Sequence, residues 1–224
     1  MLQKTESVKI SLTILQFLNK IKQGYELKEG KLISESLTAY LQHHLNHITF
    51  RKHPLGFFYH NMVGSSEFEE YRLHFWSDYS VEQDEFLKIH DHSFDFTSYV
   101  LSGKLTNRTY ALSQSDSFEG YVYEVIFRNN VSSLVISADR CGLELLQSKE
   151  FAKGDFYDMA SAQFHNTISK KGSTVTIIRI DRSQSKVSRV FSPNKLQDTT
   201  TQYDRLLLSK KQNLTIANTI LGMI

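Results

Sequence analysis

A long series of short apolar or alternating segments, between residues 56 and 182, constrains the fold of this chain more than any other feature. Gly, Asn, Asp and Ser clusters separate the segments, which include FFYHNMV, YRLHFW, TSYVLSG, GYVYEVIF and TVTIIRI. Apolar alternation over so few residues is typical of half-buried β-strands. Many short strands at this spacing predict a mainly β domain built as a sandwich, a jelly roll or a barrel.

The two ends of the chain show helical periodicity instead. Apolar residues recur at helical spacing from residue 7 to about 45, where two glycines mark a turn, and again from 196 to 224. The amphipathic C-terminal helix is expected to dock on the β domain or on a second subunit, which allows a homodimer. We therefore predict a helical segment at 1–53, one β domain at 54–182 and a helical tail at 183–224.

Composition and charge exclude several classes of protein. The 224 residues, 40% hydrophobic and 22% charged, are enough to bury a sizeable core. A single cysteine excludes an intramolecular disulfide, and no apolar run reaches the roughly 18 residues of a spanning helix. Residues 54–182 carry 12 basic and 18 acidic side chains, so no concentrated basic face for nucleic acid is expected. Without a recognisable signal peptide, the predicted location is cytoplasmic, with neither a membrane nor a nucleic-acid partner.

Histidines carry the clearest chemical signal in the sequence. His90 and His92 stand two residues apart in the predicted strand FLKIHDH, and the two-residue period of a strand places both imidazoles on the same face. Two such rings share one metal ion only with a further ligand from a distant strand. His165, which follows a turn-like stretch of small residues, is the natural third ligand. These three histidines are the predicted metal ligands.

The residues around the first histidine pair resemble the first motif of the cupin superfamily of small β-barrels. That motif runs from a Gly through His-x-His to a Glu and a closing Gly. This chain has His90 and His92, then Phe96 at the Glu position and Gly103 at the closing position. Asp84 stands where the motif begins with Gly.

The residues around the third histidine resemble the second cupin motif, in which a Gly precedes a His and then an Asn. Gly154 lies at the expected distance before His165, and Ser169 replaces the Asn. The resemblance covers roughly residues 55–182. It implies a cupin-like jelly-roll barrel, with the N-terminal helices and the C-terminal helix as additions.

The missing Glu implies a particular subclass of metal cupins. With Phe96 in its place, the site has three histidines and is similar to that of the thiol dioxygenases, whose familiar member is cysteine dioxygenase. The resemblance implies Fe(II) as the metal, with Mn, Ni, Cu or Zn as other divalent candidates. Three neutral imidazoles leave the full charge on the ion and up to three open positions, which suits O2 and a small chelating substrate. The His and Tyr that this subclass places after the third ligand would fall near Ile178 and Ile180, so the substrate class stays open.

A polar face on one predicted strand supplies further candidates. Arg72, His74 and Trp76 alternate along YRLHFW and therefore share a face. If that face lines the pocket, Arg72 is expected to clamp a substrate carboxylate and His74 to act as an acid or base. If it does not, the face is an exposed polar edge with Arg72 paired to Glu69 or Glu70.

Three other residues complete the predicted site. Asp95, three residues past His92, is either a carboxylate ligand, an acceptor that orients a ligand histidine, or a turn residue. Tyr157 is a candidate proton donor, and Tyr99 a candidate substrate contact together with Arg72, Trp76 and Asp95. Either tyrosine is otherwise an ordinary wall residue.

The function expected from these residues is that of a metal-dependent cupin enzyme, most simply a mononuclear non-haem Fe(II) dioxygenase acting on a small chelating metabolite. Two alternatives stay open. One is a cupin that binds a metal or ligand without catalysis. The other is a metal-dependent isomerase or lyase in which His74 or a tyrosine moves a proton.

Overall fold

The computed structural model of the chain describes residues 2–63, 69–78, 85–113, 120–128, 131–183, 186–196 and 202–224. The helices are α1 (Leu2–Glu26), α2 (Gly30–His44) and α3 (Lys210–Leu221). The strands are β1 (Arg51–His53), β2 (Phe57–Val63), β3 (Glu69–Trp76), β4 (Ile89–His90), β5 (Asp95–Ser102), β6 (Lys104–Ser113), β7 (Gly120–Arg128), β8 (Val131–Ala152), β9 (Phe156–Met159), β10 (Phe164–Ser169), β11 (Thr174–Asp181), β12 (Arg189–Ser192) and β13 (Gln202–Asp204).

The strands form two antiparallel sheets, which confirms the mainly β prediction. The first sheet has the order β1-β2-β3-β11-β5-β9, and the second has the order β13-β8-β6-β10-β4-β12-β7. The 22-residue β8 also pairs with β7, because its first half runs beside β7 and its second half beside β6. In the described part of the chain, no helix has the length and hydropathy needed to cross a membrane.

Alternation along the strands of the first sheet separates a helix-covered face from an inner face. In β3, Tyr71 and Leu73 lie in the buried core shared with all three helices. The alternate residues of β3 point toward the second sheet, where Trp76 packs with Leu105 and Phe151. The inner faces of the two sheets therefore enclose a second core, separate from the one under the helices.

The C-terminal region differs from the predicted helical tail. Helical periodicity predicts a helix over residues 196–224, but α3 begins only after Ser209, whose side chain caps its first turn. Ahead of that helix, β12 and β13 join the second sheet, and Val190 and Phe191 of β12 are buried there. Strands of three or four residues are too short to show a periodicity of their own, so only their pairing reveals them.

Gly103 turns the chain from β5 in the first sheet to β6 in the second. Its φ is +73°, and an added Cβ would lie 2.1 Å from the carbonyl oxygen of Ser173. Alanine would combine a strained backbone with a clash against another backbone. We expect Gly103→Ala to lower the free energy of unfolding by about 2–4 kcal/mol, measured by urea denaturation.

Gly154→Ala is the matched control for this change. Gly154 also has a positive φ, +98°, but no atom lies within 4 Å of an added Cβ. Alanine there should cost only the backbone strain, about 1 kcal/mol. Equal losses at the two positions would show that the contact with Ser173 does not constrain Gly103.

Candidate metal centre

The three predicted ligands converge at one point between the two sheets. His90 ends β4 and is the direct cross-strand neighbour of His165 on β10, while His92 follows β4 two residues later. Their ligand nitrogens all lie within 4.8 Å of one another. The ring of Phe96, from the first sheet, lies 5.3 Å from the His92 ring. The structure therefore forms a three-histidine group whose donor atoms are close enough to share one metal ion.

Backbone carbonyls fix the tautomer of two of these rings. The Nδ1 of His90 donates to the carbonyl of Lys88 at 3.2 Å, and the Nδ1 of His165 donates to the carbonyl of Gln163 at 3.3 Å. A carbonyl oxygen only accepts, so the ring proton must sit on Nδ1. The Nε2 lone pair of both rings is then the one available to a metal ion.

Burial keeps the three imidazoles neutral. Loss of solvation lowers the pKa of His90 to about 4. The pKa values of His92 and His165 are held well below 6.5 by burial first and by the neighbouring histidines second. Since a metal ion binds the neutral form of imidazole, the three rings need not lose a proton near neutral pH. A neutral, convergent set of nitrogens fits a divalent transition metal.

An ion pair behind the histidines holds their loop in place. Asp91, between the two ligands of the His-x-His segment, is buried, and its carboxylate accepts from the Nε of Arg189 at 2.7 Å and from the Arg189 backbone N–H. Arg189 also donates to the carbonyl of Ala162, in the turn before His165. One arginine thus connects both segments that carry the ligands.

The carboxylate of Asp95 is used by the same turn. Its Oδ1 accepts the backbone N–H of Ser161 at 2.6 Å, and the N–H of Ala162 donates to the carbonyl of His92 at 2.9 Å. Asp95 is not a member of the group formed by the three histidines. In the structure, Asp95 accepts a backbone N–H and positions the turn before His165, a role that differs from the three considered for it.

Asp91→Asn should weaken metal binding without removing a ligand. The amide keeps the shape of the carboxylate but loses the charge that holds Arg189, so the His-x-His segment becomes less ordered. We expect a loss of about 10- to 100-fold in affinity for Fe(II) or Zn(II), measured by chelator competition. Asp158→Asn, an exposed carboxylate on β9, is the control and should leave the affinity unchanged. Unchanged affinity in Asp91→Asn would contradict the positioning role.

Two adjoining cavities reach the histidines. The smaller, of about 60 Å³, is lined by all three of them together with side chains of the first sheet. The larger, of about 210 Å³, shares His90 and His92 with the smaller one and extends toward the C-terminal segment. The metal-binding group is therefore accessible from space that a small molecule can occupy.

The polar face of β3 lines these cavities. Arg72, His74 and Trp76 all line the smaller cavity, so the face predicted to be either inner or exposed is the inner one. Arg72 also forms the ion pair considered as the alternative, because its Nη2 donates to Glu70 at 3.0 Å while its Nε donates to Asn61. Arg72 therefore lines the cavity and is paired with a carboxylate, but it is not on an exposed edge.

His74 is a neutral group with a free ring nitrogen. Burial, with the nearby charge of Arg72, holds the pKa of His74 well below 6.5. Its Nε2 is buried and has no hydrogen-bond partner among the described residues. Its ring lies 4.6 Å from that of Phe57. A buried polar atom without a partner is costly, so this nitrogen is suited to a ligand in the smaller cavity.

The two predicted tyrosines lie in different places. Tyr157 lines the smaller cavity, and burial raises the pKa of its phenol to about 12, so it stays protonated near neutral pH and can donate a hydrogen bond. Tyr99 points to the opposite face of β5, where its ring lies 4.6 Å from that of Phe156 in the core under the helices. The alternation of β5 sends Phe96 rather than Tyr99 toward the histidines.

His53 lines both cavities and was not among the predicted site residues. The backbone N–H of Leu55 donates to its Nδ1 at 3.2 Å, and its ring stacks on Phe57 at 4.4 Å. Burial holds the pKa of His53 well below 6.5, so the neutral ring carries its proton on Nε2. Its position next to Pro54 indicated a segment boundary, and no local pattern placed it near the metal ligands.

Comparison with known proteins adds little to this geometry. No family model matches the chain, and no curated protein matches it. Among solved structures, the chain is similar to a tyrosine-to-phenylalanine variant of Streptomyces PAC13 with uridine, at a TM-score of 0.30 and 10% sequence identity, covering 73% of this chain and 89% of that chain. A likeness at this TM-score carries no argument about function. The two antiparallel sheets and the three-histidine group are compatible with a cupin-like fold.

Proposed function

We propose that this chain is a metal-dependent enzyme of the cupin type, with His90, His92 and His165 as the ligands of a single divalent ion. The observation that carries the proposal is the convergence of three neutral imidazoles beside a cavity. They come from β4, from the segment that follows it, and from β10. His90 and His165 each use Nδ1 on a backbone carbonyl, which leaves Nε2 available to a metal ion.

Fe(II) is the proposed metal, with Mn, Ni, Cu or Zn as the other candidates. Three imidazoles contribute no negative charge, so the ion keeps its full charge and retains open positions for other donors. When bound, Fe(II) would supply the redox chemistry for adding O2 to a chelating substrate. The proposed activity is therefore a mononuclear non-haem dioxygenase reaction on a small metabolite.

The chain itself supplies the proton handling around such a substrate. The free Nε2 of His74 would hold or accept a proton, and the phenol of Tyr157, whose pKa burial raises to about 12, would donate a hydrogen bond to the substrate. Arg72 lines both cavities and carries a positive charge toward an anionic substrate. Phe57, Trp76 and Phe96 form apolar walls that exclude water from this space.

O2 consumption by the metal-loaded protein tests the proposal. Protein loaded anaerobically with one equivalent of Fe(II) would be mixed with small thiols, such as L-cysteine and 3-mercaptopropionate, and with non-thiol chelators, such as catechol and acetylacetone. We expect at least one of them to give O2 uptake above that of the same concentration of free Fe(II). The uptake should disappear in His165→Ala, since that variant lacks a ligand.

Three other outcomes would overturn the dioxygenase assignment. No uptake with any chelator, while iron remains bound, would favour a binding protein without turnover. Substrate conversion that survives replacement of Fe(II) by Zn(II) would favour an isomerase or lyase, because Zn(II) has no redox chemistry. Failure of the wild-type protein to bind any divalent ion would remove the metal centre itself.

A further inference from the structure

Arginines are concentrated on the wall of the larger cavity. Four arginines line it, whereas Asp91 is the only acidic residue among the described lining residues. Leu134 and Tyr203 are among the apolar and aromatic residues beside them. The four arginines are Arg72, Arg182, Arg189 and Arg205.

Two carboxylates form ion pairs with three of these arginines. Glu70 accepts from Arg72 at 3.0 Å and from Arg182 at 2.8 Å, and so lies between them. Asp91 is paired with Arg189, as described above. Two negative charges therefore face three positive ones before Arg205 is considered, and the cavity wall keeps an excess of positive charge.

Of these four arginines, Arg205 has no carboxylate partner among the described residues. Its Nε is buried and makes no hydrogen bond there, and its Nη2 reaches only the Ser132 hydroxyl, at 3.4 Å. The guanidinium lies over the ring of Phe127, 4.6 Å from the centroid, and Arg51 donates to the backbone carbonyl of Arg205 at 3.1 Å. The side chain is thus held in place while its buried Nε–H has no acceptor among the described residues.

Buried guanidinium donors are costly to leave unsatisfied, and an anion is the partner that satisfies them best. Arg72 and His53 line this cavity with Arg205 and also line the smaller cavity with the three histidines. A cavity of about 210 Å³ is smaller than the roughly 300–1,000 Å³ of pockets for drug-sized ligands. The occupant that fits is a small molecule.

We infer that the larger cavity binds the anionic group of a small metabolite, with Arg205 as its principal partner and Arg72 beside it. The inference rests on the proposed function in one respect, namely that the other end of the same molecule reaches the metal held by His90 and His92. The substrate class is then a small acid with two separated polar ends, one chelating and one a carboxylate or phosphate.

Calorimetric titration of the metal-free protein tests the anion site without any catalysis. Inorganic phosphate and succinate would be titrated separately at low ionic strength into the wild type, Arg205→Gln, Arg205→Lys and Arg108→Gln. Arg108 is an exposed arginine on β6 that does not line the cavity, so its variant is the matched control. Tighter binding of phosphate or of succinate would identify which anion the site takes.

We expect the wild type to bind at least one of the two probes and Arg205→Gln to bind it about 10- to 100-fold more weakly. Arg205→Lys should recover part of this loss, because it keeps the charge without the planar fork. Arg108→Gln should match the wild type. Circular dichroism would show that each variant is folded, and the lysine variant tests the site even if glutamine disturbs the fold.

Two results would overturn the inference: no binding of either probe to the wild type, or equal affinity in Arg205→Gln. Metal content, measured separately by elemental analysis, keeps this failure distinct from failure of the proposed function. Bound metal without anion binding removes only the anion site. Anion binding to Arg205 without bound metal removes only the metal centre.

Discussion

Replacing His165 with alanine is expected to remove the bound metal ion. The residue is one of the three proposed protein ligands and lies on β10, far in sequence from the other two, and the three-histidine group has no fourth member among the described residues. A lost ligand should weaken binding by about 100- to 1,000-fold, enough to empty the site during purification. Elemental analysis of protein purified without chelators or a polyhistidine tag would measure the difference.

This test needs a second variant that lacks ligands and a control variant at an exposed histidine. His90→Ala combined with His92→Ala should lose the metal as His165→Ala does. His47→Ala removes an exposed histidine and should retain the wild-type content. Near one ion per chain in the wild type, lost in both ligand variants while circular dichroism is unchanged, is the expected pattern. Metal retained in His165→Ala would contradict the three-histidine site.

Acidification is expected to destabilise the metal-free protein strongly, and His60 is the clearest contributor. His60 lies in the core under the helices, remote from the metal ligands, and is only 7% exposed. Its Nδ1 donates to the carbonyl of Thr49 at 2.8 Å, so its Nε2 accepts the hydroxyl proton of Tyr40 at 2.9 Å. The bond from Tyr40 requires the neutral ring, because a protonated Nε2 cannot accept, whereas the bond to Thr49 can form in either state.

The direction of the effect follows from the pKa of His60. Burial lowers this pKa to about 4, whereas an unfolded histidine has a pKa of about 6.5. Between these values the unfolded chain binds one proton more than the folded chain. The stability is therefore complete above about pH 6.5 and falls as the pH is lowered through this window, by up to about 3 kcal/mol for His60 alone. Burial lowers the pKa values of His53 and His74 as well, so the total loss should be larger.

Urea denaturation at about pH 7, 6, 5 and 4.5 would measure this dependence. His60→Gln removes the titrating group. The slope of the free energy of unfolding against pH should therefore decrease by up to the amount that corresponds to one bound proton. His47→Gln, at an exposed position, should leave the slope unchanged. Identical slopes in the wild type and His60→Gln would show that His60 titrates alike in the folded and unfolded states.

Features carried by local spacing were predictable from the sequence. The strand periodicity between residues 56 and 182 indicated a mainly β fold, and the apolar spacing of the N-terminal region indicated two helices, seen as α1 and α2. The interval of two between His90 and His92 predicted that both rings lie together, and their centroids are 5.0 Å apart, although the strand ends at His90. The iron, the O2 chemistry, the homodimer and the cytoplasmic location stay predictions.

The choice between alternatives required the tertiary structure. Alternation showed that Arg72 and His74 share a face, but a strand pattern is symmetric, and only the helices packed on Tyr71 and Leu73 decide which face is inside. Similarly, the sequence left Asp95 open as a ligand, as an acceptor that orients a ligand histidine or as a turn residue, and only the fold shows that its carboxylate accepts the Ser161 backbone N–H.

Periodicity along a strand or helix is a local property, so the sequence by itself determined the β class, the paired histidines and the third histidine that follows a turn. Contacts between residues far apart in the chain leave no such pattern. The tertiary structure alone brought His53 from β1 and Arg205 from beyond β13 to the cavity that His90 and His92 share. It also directed Tyr99 toward the helices, because the packing of two cores, rather than any local sequence, assigns each face of β5.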